Sequence, residues 1–310
     1  MLFILLNISS AFHAYKFTHF YKNATKIKKP EEMSFGEKMS AALLGVNYPK
    51  STVVDSLLII HETIKIKTID SLTLEAWHLK QPDLGDENNL LTIKKGTVLI
   101  FHGHGSCKSA LIKEANEFYK MGYEVVLTDF RAHGNSDGEV CTIGYNESKD
   151  VKAVYDYVKN TGEKNIILFG ISLGAATIAK AIDEFKIAPT KVILEMPFGT
   201  LYDAVKGRVR TMKLPEQPIS FLLTFWGGTE HGFWAFNHKP EEYAKNITCP
   251  VLLQWGKNDA RVKETEVNSI FKNIASAQKR LVVYEESGHE SLCKNENQKW
   301  KENIADFLSR

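Results

Sequence analysis

The sequence has few cysteines, and its positive and negative charges almost cancel. The 310 residues contain four cysteines, too few for a disulfide scaffold at this length, and no two of them have the CxxC spacing of a structural zinc site. Lys and Arg number 39 against 37 Asp and Glu, a net charge of +2. Proteins that bind nucleic acid by bulk electrostatics carry a clear basic excess, so that class is disfavoured. We expect no metal, no cofactor and no nucleic-acid partner.

The sequence also lacks an uninterrupted apolar run of the ~20 residues that a spanning helix needs. The segment Met1–Tyr15 has no charged side chain, but four polar residues interrupt it, and five lysines follow before the first acid, Glu31. We predict that residues 1–20 associate with a membrane, either spanning it or lying on anionic headgroups, and that the body is cytoplasmic. Two alternatives remain open: a helix packed on the protein, and export to the periplasm if residues 1–15 act as a signal.

The rest of the chain divides into a basic tether over residues 21–56, with a short helix at 34–44, and one large domain over residues 57–310. In that domain short apolar strands alternate with helical stretches, which predicts a mostly parallel sheet covered on both faces. The predicted strands are a hairpin of Leu57–Lys67 and Leu72–Lys80, then Thr97–Phe101, Glu124–Thr128, Asn165–Phe169, Lys191–Leu194, Val251–Trp255 and Arg280–Tyr284. The predicted helices are Lys108–Lys120, Tyr145–Lys159, Leu173–Phe185 and Val262–Ala275.

One strand end carries a pattern typical of a nucleophilic serine. The strand Asn165–Phe169 runs into the sequence GISLG, from Gly170 to Gly174, and a helix follows. Glycine at both ends keeps side chains out of a sharp turn, so Ser172 can be held strained and exposed above the sheet. The helix N-terminus adds positive potential where an oxyanion would form. The alternative is an ordinary serine in a glycine-rich turn, and the strand–turn–helix setting favours the nucleophile.

Two later strand ends supply the groups that would activate such a serine. Asp259 follows the strand Val251–Trp255, and His289 follows the strand Arg280–Tyr284. A serine hydroxyl needs a base, and the base needs an orienting carboxylate. Each of the two residues could instead be a loop polar group facing water. Because open α/β sheets bind ligands at the carboxyl ends of their strands, we predict that Ser172, His289 and Asp259 meet there.

On these residues the chain resembles the serine-nucleophile branch of the α/β-hydrolase fold superfamily, and it looks like bacterial esterases, monoacylglycerol lipases and serine aminopeptidases. The resemblance implies a mostly parallel sheet with helices on both faces, an antiparallel N-terminal hairpin, and a small cap inserted before the acid-bearing strand. It also implies an oxyanion hole made by the backbone N–H groups of His104 and Leu173. Its motifs are GISLG with FHGHG (Phe101–Gly105), DFRAHGNSDG (Asp129–Gly138), WGKNDARV (Trp255–Val262) and SGHESL (Ser287–Leu292).

Three further expectations follow from the resemblance. His102 and the cluster Asp129, Arg131 and His133 should shape loops rather than do chemistry. Glu195 is the rival to Asp259 as the orienting acid, because some hydrolases carry their acid after that earlier strand. The cap should span residues 199–248, and its aromatic side chains should line an acyl pocket or fix the cap to the body. The predicted pocket residues are Phe221, Phe225, Trp226, Phe233 and Trp234.

The predicted activity is hydrolysis of a small-molecule carboxylic ester through an acyl-enzyme on Ser172. A serine at this position argues against dehalogenase and epoxide-hydrolase chemistry, which uses Asp, and against the cysteine-dependent dienelactone hydrolases. Aminopeptidase, thioesterase and acyltransferase activities remain alternatives, since they would use the same three residues. An aminopeptidase would need a carboxylate for the substrate's ammonium, for which Glu195 and Glu230 are candidates. A further alternative is a scaffold that has kept the fold without turnover.

Overall fold

The structure is a computed structural model, and it describes residues 2–22, 28, 32–82 and 94–310. In these residues, eight strands form one sheet. In chain order they are β1 (Glu62–Lys67), β2 (Thr73–Leu79), β3 (Thr97–Phe101), β4 (Glu124–Thr128), β5 (Ile166–Ile171), β6 (Lys191–Glu195), β7 (Val251–Gly256) and β8 (Lys279–Tyr284).

The order of strands across the sheet is β1-β2-β4-β3-β5-β6-β7-β8. The first two strands form an antiparallel hairpin, β2 pairs antiparallel with β4, and the remaining pairs are parallel. This confirms the predicted sheet and its N-terminal hairpin. The first hairpin strand begins later than predicted, at Glu62 instead of Leu57, and the preceding Leu58 and Ile60 are exposed.

Helices cover both faces of the sheet. The predicted helices are present with small shifts of their ends, and the C-terminal helix, which the sequence analysis missed, packs Trp300, Ile304 and Phe307 into the core. In the described residues the helices are α1 (Leu2–Thr18), α2 (Phe35–Leu44), α3 (Ile112–Lys120), α4 (Ser148–Asn160), α5 (Leu173–Phe185), α6 (Leu201–Thr211), α7 (Ile219–Glu230), α8 (Pro240–Tyr243), α9 (Glu264–Asn273), α10 (Leu292–Asn295) and α11 (Asn297–Ser309).

The strand order reverses direction at β3, which has β4 on one side and β5 on the other. At such a switch point the loops that leave the two strands diverge to opposite faces, so a crevice opens at their carboxyl ends. The last residue of β3, Phe101, lies opposite Gly170 of β5. The FHGHG and GISLG segments therefore begin side by side.

The segment between β6 and β7 holds, in chain order, α6, α7, a short 3₁₀ turn, α8 and a second short 3₁₀ turn. Helix α6 begins at the N-cap Thr200, whose hydroxyl accepts a hydrogen bond from the Asp203 backbone N–H at 3.0 Å. The helices α6 and α7 pack on each other, and α7 also packs on α1. The cap is therefore a layer of helices to which the N-terminal helix contributes.

The N-terminal region, which includes the segment predicted as a basic tether, is bonded to the body at several points. The backbone N–H of Tyr21 donates to the Tyr48 carbonyl at 2.7 Å, and the Ser51 hydroxyl donates to the Ser106 carbonyl at 2.6 Å. At the end of α1, the N–H of Phe20 donates to the Glu139 carbonyl at 2.8 Å. In the described part of the chain, no helix is long and apolar enough to cross a membrane. The 17-residue α1 packs on the cap instead.

Candidate active site

Ser172 occupies a strained turn between β5 and α5. Its φ is 53°, in the left-handed region that non-glycine residues seldom adopt. Both flanking glycines are needed by close packing: a Cβ on Gly170 would lie 2.5 Å from the Gly174 carbonyl carbon, and a Cβ on Gly174 would collide with the Phe101 carbonyl. The turn is fixed from below by the Ser172 N–H, which donates to the Glu195 carbonyl at 2.7 Å.

The structure brings Ser172, His289 and Asp259 into one hydrogen-bonded chain. The Ser172 Oγ lies 3.0 Å from His289 Nε2, and His289 Nδ1 lies 2.7 Å from Asp259 Oδ2. Strands β7 and β8 are parallel neighbours, so the loops that carry the acid and the histidine leave the same edge of the sheet. With the Nδ1 proton donated to the carboxylate, Nε2 is free to accept the serine proton.

The Asp259 carboxylate is held in place from the side opposite the histidine. Its Oδ1 accepts from the backbone N–H groups of Arg261 at 2.7 Å and Val262 at 2.9 Å, and its side chain has no exposed surface. One oxygen is thus bound by the backbone while the other faces His289. Charge-assisted bonds of this kind hold a carboxylate in the orientation that a histidine partner requires.

Glu195, the rival acid, points elsewhere. Its Oε1 accepts from the Trp300 indole at 2.5 Å and from the Gln254 amide at 3.1 Å, inside the core. Burial raises the pKa of Glu195 to about 8, so the side chain is neutral at pH 7. A neutral carboxyl bonded to α11 and β7 gives His289 no orienting charge.

Two histidines connect the loop after β3 to the loop after β4. His102 Nε2 accepts from the Phe130 N–H at 3.1 Å, and His133 Nε2 accepts from the Gly105 N–H at 3.1 Å. Burial lowers the pKa of His102 to about 4 and of His133 to about 3, so both rings are neutral acceptors at pH 7. Both side chains therefore hold the loop on which His104 lies, beside Ser172.

The other members of the predicted loop-shaping cluster are also bound internally. The Asp129 carboxylate accepts from the Lys108 backbone N–H at 2.7 Å and from its ammonium group at 2.5 Å, with both side chains fully buried. The Arg131 guanidinium pairs with Asp150 at 2.6 Å and with Asp70 at 2.8 Å. The charged groups of Asp129 and Arg131 are therefore bonded to partners other than Ser172.

A cavity of about 1560 Å³ opens over Ser172 and His289. Its walls come from α1, α6 and α7, and the cap contributes mainly aliphatic side chains. Of the five aromatic residues predicted to line it, Phe233 does so, stacked 4.0 Å from the Tyr145 ring. The other four, Phe221, Phe225, Trp226 and Trp234, are not among the described lining residues, and Phe221 and Trp234 are exposed. The aliphatic cap residues in the wall are Val205, Val209, Met212, Leu214, Ile219 and Leu223.

The sequence analysis missed the part that α1 plays in the cavity. The Phe17 ring of α1 stacks on the His104 ring, with 4.7 Å between the ring centres. The Arg208 guanidinium of α6 lies over the same Phe17 ring, 5.5 Å from its centre. Burial, followed by the nearby Arg208, lowers the pKa of His104 well below its usual value. Polar residues that seemed to interrupt an apolar segment, Ser10 and His13, line the cavity. No motif marks these residues, because their roles depend on a contact between distant parts of the chain.

The charged side chains around the cavity are mostly basic. Among the described lining residues, the carboxylate is that of the exposed Glu290, whereas Glu195 and Glu230 lie outside the wall. The basic lining residues are Lys22, Lys28, Lys50, Arg208, Arg261 and Lys294. In the part of the chain that the structure describes, no three His, Cys, Asp or Glu side chains gather into a metal-holding group. The four cysteines, Cys107, Cys141, Cys249 and Cys293, are all unpaired.

Comparison with known proteins gives the class to which this fold and site belong. Two family models match adjacent parts of the chain, that for serine aminopeptidase S33 over residues 92–217 and that for the dienelactone hydrolase family over residues 220–307. The second match does not include Ser172. Together with the sheet topology, they show that the chain is a member of the α/β-hydrolase fold superfamily.

Particular relatives are distant in sequence. An esterase of Pyrococcus furiosus, Pf2001, superposes with a TM-score of 0.69 at 25% identity, over 84% of this chain and 97% of that one. The uncharacterised protein YqkD of Bacillus subtilis is 24% identical over 68% of this chain and 70% of its own length. The mouse lysophosphatidylserine lipase ABHD12 is 24% identical over 61% of this chain, and the match spans about half (50%) of the mouse protein.

The buried Glu195 predicts a pH-dependent difference in stability. Its pKa in the folded chain, about 8, is raised above the usual 4.5. Between pH 4.5 and 8 the folded state therefore keeps a proton that the unfolded state has already lost. The stabilising contribution is complete below pH 4.5 and is lost as the pH rises through 8. Glu195→Gln, which cannot ionise, should therefore gain in Tm relative to the unmodified chain between pH 5 and 8. Equal Tm differences across that range, measured by calorimetry, would contradict the buried, protonated carboxyl.

Proposed function

We propose that the chain is a serine hydrolase that cleaves carboxylic esters, with Ser172 as nucleophile, His289 as base and Asp259 as the acid that orients the base. The observation that carries the proposal is the continuous chain of hydrogen bonds, 3.0 Å from serine to histidine and 2.7 Å from histidine to aspartate. It stands in a fold shared with an esterase of similar extent. A scaffold without turnover would have no need to hold a strained serine against a base.

The proposed reaction has two halves. Ser172 Oγ attacks the ester carbonyl carbon while its proton passes to His289 Nε2, and the resulting imidazolium is stabilised by Asp259. The tetrahedral intermediate collapses, the C–O bond to the alcohol breaks, and the imidazolium protonates the leaving alcohol. Water then attacks the acyl-enzyme, giving its proton to His289, and the acid product leaves as Ser172 takes that proton back. Each half returns the histidine to its neutral form.

The oxyanion is proposed to be bound by the backbone N–H groups of His104 and Leu173. Leu173 is the first residue of α5, and the first N–H groups of a helix have no acceptor within it. His104 lies in the loop that His102 and His133 hold from the β4 side. Donors fixed in advance in this way need no rearrangement when charge develops on the carbonyl oxygen.

The substrate proposed for this site is an ester with an apolar acyl chain. The aliphatic side chains of α6 and α7 give the cavity an apolar wall above Ser172. Two of the relatives are named as an esterase and a lysophosphatidylserine lipase. An aminopeptidase is less well supported, because neither Glu195 nor Glu230 lines the cavity to receive an ammonium group. Thioesterase and acyltransferase activity would use the same groups and differ in the leaving group or in the acceptor.

We also propose that this hydrolysis takes place at a membrane surface. The apolar N-terminal helix is followed by lysines, and it forms one wall of the cavity. An ester drawn from lipid would enter beside this helix. The proposed body is cytoplasmic, as the lysine cluster predicts.

Removing the nucleophile or the base should have almost the same effect, because the two groups act as a unit. Ser172→Ala and His289→Ala are each expected to lower kcat for a p-nitrophenyl ester by ~10⁴-fold or more. Ser136→Ala, which also removes a buried serine hydroxyl, is the matched control for damage to the loops. A Ser172→Ala protein that is folded by circular dichroism and keeps its activity would rule out the nucleophile.

Replacing a carboxylate by an amide, at Asp259 and separately at Glu195, decides which of the two residues orients His289. Asp259→Asn should leave the fold intact but hold His289 in the wrong tautomer, and kcat should fall by ~10⁴-fold. Glu195→Gln should leave kcat within a few-fold, since Glu195 bonds to Trp300 and Gln254 rather than to the histidine. Steady-state kinetics of both variants decide the assignment. A large loss in Glu195→Gln with little change in Asp259→Asn would assign the acid to Glu195.

The acyl chain length should affect kcat/KM. Burying each added CH₂ contributes roughly 0.8 kcal/mol, or about fourfold in binding, so kcat/KM should rise over several carbons and flatten once the pocket is full. Aminoacyl arylamides should be poor substrates, because Glu290, the carboxylate among the described lining residues, is exposed to solvent. The measurement is a series of p-nitrophenyl esters with an aminoacyl arylamide for comparison. A flat series with faster arylamide turnover would favour aminopeptidase activity instead.

A further inference from the structure

Helix α1 is apolar on its outer side as well as on the side that faces the cavity, where Leu6, Ala14 and Phe17 lie. Asn7 accepts a hydrogen bond from the Trp226 indole of α7 at 3.2 Å, and Ser10 and His13 line the cavity. Five large apolar side chains are exposed on the opposite side. The outer side of a helix that packs on a globular body normally carries polar residues instead. The exposed residues are Ile4, Leu5, Ile8, Phe12 and Tyr15, between 43% and 62% exposed.

The cap extends this surface with aromatic side chains. The Phe225 ring lies 5.3 Å from the Trp226 ring that is bonded to α1, and 6.0 Å from the Trp234 ring. The Phe236 ring joins the group, 5.1 Å from Trp234 and 5.1 Å from Phe221. Trp234 and Phe221 are 53% and 47% exposed. We call the five exposed residues of α1 together with Phe221 and Trp234 the outer apolar face.

Helix α2 adds a second exposed apolar stripe next to α1. Phe35, Met39 and Leu43 recur every fourth residue, so they share one side of the helix, and all three are exposed. The end of α2 is tied to α1, because the Lys16 ammonium donates to the Leu44 carbonyl at 2.9 Å. Contiguous exposed apolar surface of this kind marks a site of association rather than a solvated surface.

The charge beside the face indicates what it binds. Residues 1–50 contain seven lysines and three glutamates, a net +4, so the other 260 residues carry −2 of the chain's total of +2. Lys16 stands at the end of α1 with its ammonium 4.6 Å from the centre of the Phe12 ring. Apolar side chains bordered by lysines match a bilayer interface with anionic headgroups, where Trp and Tyr rings are also favoured. A two-fold interface brings identical patches of two copies together. In a dimer formed through this face, the net charge of +4 in residues 1–50 of one copy would repel the same charge of the other.

We propose that the outer apolar face is a membrane-docking surface, by which α1 lies flat in the interfacial layer of an anionic bilayer without crossing it. The proposal rests on the ester-hydrolase function for its biological purpose but not for its test. Docked in this way, the opposite side of α1 remains a wall of the cavity, so the cavity lies directly beneath the lipid surface. An amphiphilic ester could pass from the bilayer to Ser172 without crossing bulk water.

Vesicle sedimentation of the full chain tests the proposal. Vesicles of phosphatidylcholine with phosphatidylserine should bind the chain more tightly than vesicles of phosphatidylcholine alone, and added salt should weaken this binding. Ile8→Glu should weaken it by about tenfold or more, because the change removes a buried apolar side chain from the interface. The matched control is Ile69→Glu in the β1–β2 turn, where the isoleucine is 66% exposed compared with 62% for Ile8. The control should bind like the unmodified chain.

Two further measurements fix the orientation and separate this proposal from the catalytic one. Brominated lipids should quench tryptophan emission, and Trp234→Phe should reduce that quenching, since Trp77, Trp255 and Trp300 are buried and Trp226 is half-buried. Turnover of a short soluble ester should be equal in Ile8→Glu and Ile69→Glu, because neither residue lines the cavity. Equal vesicle binding by these two variants would overturn the docking surface even if esterase activity is present. A dimer that Ile8→Glu dissociates, with vesicle binding unchanged, would reassign the face to self-association.

Discussion

The close approach of β5 to β3 at the switch point is the constraint on which the rest of the site depends. Gly174, the second residue of α5, packs so tightly on the Phe101 carbonyl at the end of β3 that any side chain there would push the helix away from the strand. This contact places the beginning of the loop after β3 beside the turn that holds Ser172. The strain at Ser172, with φ of 53°, is maintained because the strand below and the helix above leave the turn no other path. His289 and Asp259 follow two neighbouring strands further along the sheet, and the His289 ring lies between the serine and the aspartate.

The buried polar groups around the site divide into those that face the serine and those that support it. His102, His133 and Asp129 are fully buried and bonded to backbone N–H groups, so they hold loops in place. His289 is in contact with the serine hydroxyl, and Asp259 is in contact with His289. Glu195 lies next to the serine in the sheet and yet bonds into the core through Trp300. Position at a strand end is therefore insufficient to assign a role, and the hydrogen-bond partners decide it.

The sequence predicted the elements that depend on local patterns. The strand apolar runs, the GISLG turn and the strand ends with Asp259 and His289 are encoded within short windows, and the described structure contains them. Helix α11 was not predicted, although its sequence contains the signal: Trp300, Ile304 and Phe307 recur at helical spacing. The packing of α1 on α7 could not be predicted from the sequence. The same polar residues in α1 are consistent with an interrupted membrane segment and with a helix whose polar side chains face a cavity. The sequence also left open whether the cap aromatics line the pocket or fix the cap to the body, because periodicity identifies one side of a helix but not what covers that side.

The central claim is that Ser172 forms a covalent acyl-enzyme, and the most direct test is to locate a covalent adduct. The full chain is treated with a fluorophosphonate, which phosphonylates an activated serine, and its peptides are mapped by mass spectrometry. The account predicts one adduct, on the peptide that contains Ser172, and its absence when His289 is replaced by Ala. An adduct on another serine, or none on a folded chain that hydrolyses esters, would contradict the account.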